Sequence, residues 1–224
     1  MQRENISVIE RKQESVLATN RVLRNTYMLL SLTFLFSAFM AYIGVAMHAT
    51  PMHPLIAIAG IYGLMFLTQS FRNSPLGLLF VFAFTGFMGY SLAPMLSYYL
   101  ASFSNGGHII TTALGGTGAI FFGLSGYVLT TRKDFSYMQG FLFAGMMVLF
   151  LAMIAGFFFQ IPGMQLAISA GFMLLSSGII LYQTSEIIHG GETNYISATV
   201  TLFVSIYNIF VSLLQLLGAF GGDD

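Results

Sequence analysis

Seven apolar runs of about 18–25 residues follow one another along this chain, near residues 26–47, 54–71, 76–100, 109–131, 136–159, 164–188 and 195–218. That length is what limits the fold. A hydrocarbon core about 30 Å thick needs roughly 20 residues of helix to cross it. Inside it, a segment must close its own backbone hydrogen bonds, because each unpaired group costs several kcal/mol. The runs therefore predict an all-α integral membrane protein, a bundle of seven transmembrane helices. Short connections favour antiparallel neighbours and leave no room for a separate soluble domain. Composition excludes the alternative. With 56% hydrophobic and 7% charged residues, a soluble surface would be one continuous apolar patch.

Charge placement predicts the orientation. Five of the eight bases and three of the eight acids lie in residues 1–25, a polar tail with too little apolar surface to order itself. The other bases, Arg72, Arg132 and Lys133, fall between the second and third runs and between the fourth and fifth. With the tail in the cytoplasm, all eight bases lie on the cytoplasmic side, as the positive-inside rule requires. Residues 219–224 then emerge on the far side, where the loops also hold His48, His53 and His108. No cleavable signal is expected, since the first run is too long and no small-residue cleavage site follows it. Net charge is zero, so nothing points to nucleic acid. The chain has no cysteine, which removes disulfides, thiolate metal sites and cysteine nucleophiles. No metal and no cofactor are expected.

Polar residues inside the runs are few enough to read one by one. On helix 7, Thr201, Ser205, Asn208, Ser212 and Gln215 recur at spacings of 4, 3, 4 and 3, one stripe on an otherwise apolar helix. On helix 6, Ser169, Ser176 and Gln183 recur every seven residues. Facing lipid, such groups would be unpaired, so the stripes are expected to meet each other or an aqueous cavity. They are either hydrogen-bond glue between helices or the lining of an ion pathway. Glu186 lies within the sixth run, near its end; it either senses pH together with His189 or simply reaches the interface. Small residues predict close helix contacts at Gly86, Gly89 and Ala93 on helix 3 and at Gly115, Ala119, Gly123 and Gly126 on helix 4. Ser125, in Gly123-Leu124-Ser125-Gly126, and His189 imitate a serine–histidine dyad. Ser125, however, lies about 10 Å inside the edge where His189 sits, beyond the reach a nucleophile needs from its base.

Along nearly its whole length the sequence resembles the Bax inhibitor-1 (TMBIM) family, and its bacterial YccA branch in particular. The motifs that carry the resemblance are Val22-Leu23-Arg24-Asn25-Thr26-Tyr27, Ala83-Phe84-Thr85-Gly86-Phe87 and Val128-Leu129-Thr130-Thr131-Arg132-Lys133-Asp134. Stronger still are Ile187-Ile188-His189-Gly190-Gly191-Glu192-Thr193-Asn194-Tyr195 and Ile206-Tyr207-Asn208-Ile209-Phe210-Val211-Ser212-Leu213-Leu214. The resemblance implies a seven-helix bundle in the bacterial inner membrane with its N-terminus inside, and not an enzyme. As partners it implies the lipid bilayer and the membrane-anchored AAA+ zinc protease FtsH, whose work in quality control the branch modulates. Other members are pH-sensitive calcium leaks with an aspartate pair, one on helix 6 and one on helix 7. Gln183 and Ser205 stand there in this chain, and neither titrates near neutral pH. A protease modulator is the first expectation, and a calcium, cation or proton leak along the helix 6–7 seam the second.

Overall fold

A computed structural model describes the backbone of residues 2–159 and 161–221, and the side chains of residues 20–156, 158–159 and 161–221. Among the described residues seven α-helices follow in order: α1 (Gln2–Ala46), α2 (Pro54–Ser70), α3 (Pro75–Ser102), α4 (Gly106–Thr131), α5 (Gln139–Phe158), α6 (Met164–His189) and α7 (Tyr195–Gly221). A 3₁₀ turn, Ser136–Met138, leads into α5. Six of the helices are long and apolar enough to cross a membrane, as an integral membrane protein requires. The exception by length is α2, whose 17 residues rise about 26 Å.

Local chemistry sets the helix ends. α2 and α3 both open on proline, at Pro54 and Pro75, where the missing N–H is no loss. His53 Nδ1 accepts the N–H of Leu55 at 3.4 Å, and Ser74 Oγ accepts that of Leu76 at 3.1 Å. α6 stops at Gly190, whose φ of +80° is open to a residue without Cβ. α2 to α7 begin and end within three residues of the runs that predicted them.

α1 departs from the expectation. Its helix begins at Gln2, so the polar segment read as unstructured is helical and runs unbroken into the first apolar run. No glycine or proline occurs before Gly44, and the segment is rich in Gln, Glu, Arg, Lys and Leu. Strong helix formers continue the turn although there is little apolar surface to bury.

α7 is the axis of the bundle, touching α1, α2, α3, α4 and α6. Phe203, Leu202, Ile209 and Leu214 on it are fully buried. The small residues of α3 do what their spacing predicts. Gly86 meets Phe36, Gly89 lies against the Ser37 carbonyl, and Ala93 faces Gly44, so α1 and α3 pack backbone to backbone.

The stripe on α4 does not. Around Gly115, Gly123 and Gly126 nothing lies within 4 Å of where a Cβ would stand, and Ala119 is exposed. α4 packs instead through Ala113, Thr117, Phe121, Ser125 and Val128. Glycine is common in membrane helices, so its spacing alone does not identify the contact face.

α5 is peripheral. Among the described residues it touches only α6 and the 3₁₀ turn before it. Leucines seated on glycines make that seam: Leu142 on Gly178, Leu149 on Gly171 and, in return, Leu175 on Gly145.

Candidate functional site

The polar stripes of α6 and α7 divide at mid-helix into a closed half and an open half. Toward the α6–α7 junction the groups are buried. Ser205 Oγ donates to the Thr201 carbonyl at 2.8 Å, and Thr201 Oγ1 to the Ser197 carbonyl at 3.1 Å. Both bonds stay within α7, so these two hydroxyls are satisfied on the backbone of their own helix. Gln183 and Ser176 are buried, and neither Gln183 Nε2 nor Ser176 Oγ has a hydrogen-bond partner among the described residues.

The other half opens onto a cleft of about 680 Å³ between α5, α6 and α7. Asn208, Ser212 and Gln215 form its α7 wall and Gln165, Ile168, Ser169 and Phe172 its α6 wall. Ser169 Oγ donates to the Gln165 carbonyl at 2.8 Å and also to Gln215 Oε1 across the helices. Of the residues singled out in the sequence, the structure thus brings Ser169, Asn208, Ser212 and Gln215 together around a cavity. Gln183, Glu186, Thr201 and Ser205 lie outside it.

The stretch between α6 and α7 is a third feature, a junction that ties several loops together. The Asn194 side chain caps α7 by accepting the N–H groups of Ile196 (3.0 Å) and Ser197 (3.1 Å). Its Nδ2 donates to the Arg72 carbonyl (3.1 Å) and to Asn73 Oδ1 (2.8 Å). Ser197 Oγ donates to Gln69 Oε1 at 2.8 Å and accepts from Arg72 Nη1 at 3.4 Å. On the α4–α5 side, Ser185 Oγ accepts the Phe135 N–H at 2.9 Å and donates to the Lys133 carbonyl at 3.4 Å. The half-buried Glu186 does not project into the seam; its carboxylate folds over Gly191, leaving no room there for a Cβ.

His189 is exposed, and its Nδ1–H donates to the Ser185 carbonyl at 2.9 Å. Ser125 Oγ is buried and has no hydrogen-bond partner among the described residues, so it and His189 are not joined as a dyad. Asp134 accepts the Ser136 N–H at 2.8 Å. That bond first, then the Ser136 hydroxyl, holds its carboxyl below the usual range, with a smaller pull from His189. The Tyr127 hydroxyl raises the Lys133 ammonium. The bases Arg72 and Lys133 thus belong to loops that meet at one end of the bundle.

The sequence reading gave Ser185, Asn194 and Ser197 no role of their own, although Asn194 stands within the motif at residues 187–195. Only Asn194 carried a signal, an asparagine directly before an apolar run, which is a helix N-cap pattern.

A family model described as inhibitor of apoptosis-promoting Bax1 matches residues 19–222. The chain belongs to the Bax inhibitor-1 family. Within it, the modulator of FtsH protease YccA of Escherichia coli is 54% identical over 204 residues, covering 91% of this chain and 92% of that one. An uncharacterized protein of Pseudomonas aeruginosa is 55% identical over 220 residues, covering 98% and 96%. An uncharacterized membrane protein of Vibrio cholerae is 45% identical over 212 residues, covering 94% and 95%. Where the resemblance places the Bax inhibitor-1 aspartate pair, this member carries Gln183 and Ser205, and no hydrogen bond joins them.

Proposed function

We propose that this protein is an inner-membrane modulator of the membrane-anchored AAA+ protease FtsH, a binding partner and not a hydrolase. The observation that carries the reading is the 54% identity to the Escherichia coli modulator over 91% of this chain, too extensive to rest on one motif. The architecture supports it. The packed bundle has one polar end, where loops carrying Arg72 and Lys133 converge on the α6–α7 junction. On this reading that end faces the cytoplasm, as positive-inside placement requires, α2 is a seventh crossing, and the C-terminus lies in the periplasm.

Two experiments test the reading. Purified FtsH is reconstituted in liposomes with ATP and a membrane client, with and without this protein, and client loss is followed. Slower loss in its presence is expected; identical decay would overturn the proposal. A reporter active only in the periplasm is fused after residue 224 and should work, whereas one active only in the cytoplasm should stay silent. The opposite pattern would require an even number of crossings and would remove α2 from the spans.

A further inference from the structure

The cleft beneath α5 has the form of a vacant helix position. Its α6 wall presents Gln165, Ile168, Ser169 and Phe172, and its α7 wall Asn208, Val211, Ser212 and Gln215. Both sets follow the i, i+3, i+4, i+7 pattern by which a helix shows one face to a neighbour. Seven residues of rise make each strip about 10 Å long, close to two turns. The cleft, of about 680 Å³, is long enough to take about two turns of a helix. No contact joins α5 to α7 among the described residues, so the cleft is open sideways between them.

Its chemistry narrows the occupant. Ser212, 96% buried, lines the cleft, and Asn208 and Gln215 lie beside it on the same helix face. Gln215 Oε1 is already paired with Ser169, but an acyl chain would fill the volume and offer no donor or acceptor to Asn208 and Ser212. A transmembrane helix bearing a Ser, Thr, Asn or Gln offers both. The third wall sets Met153 and Phe159 around Gly156, where the backbone is open to close approach. Gly156 of α5 has no side chain, and a Cβ there would sit 3.8 Å from the nearest atom, Met164 Cε, an ordinary distance.

We infer that this cleft docks a transmembrane helix of the membrane-anchored protease, held by the Asn208–Ser212–Gln215 strip. The inference rests on the modulator reading above and names the surface through which it works. The protein then acts within the bilayer, engaging the protease through its membrane anchor.

The test places the photoreactive phenylalanine analogue p-benzoylphenylalanine at Phe172, in the cleft, or at Phe66 on α2, which is 70% exposed. Each labelled protein is reconstituted with purified FtsH in liposomes and irradiated, and slowing of client loss is measured on the same preparation. Position 172 should crosslink to a transmembrane segment of the protease and position 66 should not. Gly156→Leu, which fills the cleft, should abolish the crosslink and raise the concentration for half-maximal slowing about tenfold. Ser212→Ala, which removes one hydroxyl, should shift it in the same direction by less. Gly118→Leu, which fills a separate recess of about 380 Å³ beside α1 and α4, should change neither readout.

Crosslinks from position 172 only to lipid or to a second copy, or equal protease crosslinks from position 66, would overturn the docking site. An unaltered crosslink in Gly156→Leu would do the same. If the wild type still slows client loss in any of these cases, the modulator reading stands without this surface. A crosslink from 172 without any slowing leaves the docking site and removes the reading. Neither crosslink nor slowing removes both.

Discussion

α5 and α7 show how differently burial is signalled in lipid and in water. α5, Gln139–Phe158, is nearly all apolar, and Leu142 is its one buried side chain among those described. α7 carries a polar residue in almost every turn and supplies the centre of the core, with thirteen buried residues. In water the more apolar helix would be the inner one. In a bilayer an apolar residue is as content against an acyl chain as against protein. The polar residues are the ones that must turn inward to find partners. Polarity thus becomes the marker of burial.

The largest expected effect compares one phenylalanine on each helix. Phe203 is fully buried between Phe34 and Phe84, with ring centroids at 4.8 and 6.2 Å. Phe143 on α5 is 70% exposed. Phe203→Ala should destabilise by about 3–5 kcal/mol, since it opens a cavity the bundle cannot close. Phe143→Ala should fall within about 0.5 kcal/mol of wild type. Equilibrium unfolding in mixed micelles measures both. Similar losses at the two sites would show that α5 is packed far more tightly than its contacts with α6 indicate.

This inversion also explains how much was legible in the sequence. The number of helices and the ends of α2 to α7 were, because a hydrocarbon slab imposes length on any crossing segment, whereas the start of α1 was not. The inward turn of the α7 stripe was legible too, since its spacing kept five polar groups on one face. What they do there was not legible. Ser205 and Thr201 bond within their own helix, whereas Asn208 and Ser212 face a cleft. Only the position of α5 separates the two fates, and an apolar helix with no polar stripe carries no sign of which neighbour it takes. For the same reason the outward turn of the α4 glycines was hidden. The Ser185 and Ser197 bonds bridge more than 50 and 120 residues of sequence, and no local pattern records them.

A second comparison sharpens the contrast at the one seam α5 has. A Cβ on Gly178 would lie 2.7 Å from Leu142 Cδ2 and 3.4 Å from Met138 Cε. Gly178→Leu therefore overpacks the seam, an effect of about 1–3 kcal/mol. The core around α7 should persist while α5 is displaced. Because the chain has no cysteine, a single cysteine at Leu142 reports on this cleanly. It should be labelled slowly in the parent background and rapidly with Gly178→Leu, while a cysteine at Leu202 stays protected in both. Equal acceleration at both sites would mean that α5 and α7 unfold as one unit.

The anchoring of α7 can be weakened at its end. Asn194→Ala removes the cap of the helix and both side-chain bonds to Arg72 and Asn73. A lost N-cap amounts to about 1 kcal/mol, and the bonds to the α2–α3 loop add to it. Amide hydrogen exchange should quicken at Ile196 and Ser197 and leave Ile209 unchanged. Exchange quickening along the whole helix would show that the junction, and not the core, fixes α7.

The smallest effect belongs to the loop that leads into α5. Asp134 accepts the Ser136 N–H, and its carboxyl sits below the usual range chiefly because of that bond. A carboxyl lowered in the folded state contributes stability that is complete above its unfolded pKa, about 3.9. That contribution is lost as pH falls through the lower folded value. Asp134 is fully exposed, so water and salt screen the effect strongly. The Phe135 N–H, bonded to Ser185 Oγ at 2.9 Å, is the reporter next to it. After correction for intrinsic rates, its exchange in the wild type should be level from neutral pH down to about 4 and quicken below that. Asp134→Asn keeps an oxygen to accept the Ser136 N–H but has no charge, so its profile should be level throughout and slightly faster at neutral pH. Matching profiles in the two proteins would assign the hold on this loop to the Ser185 hydroxyl alone, with no electrostatic contribution to the anchoring of α5.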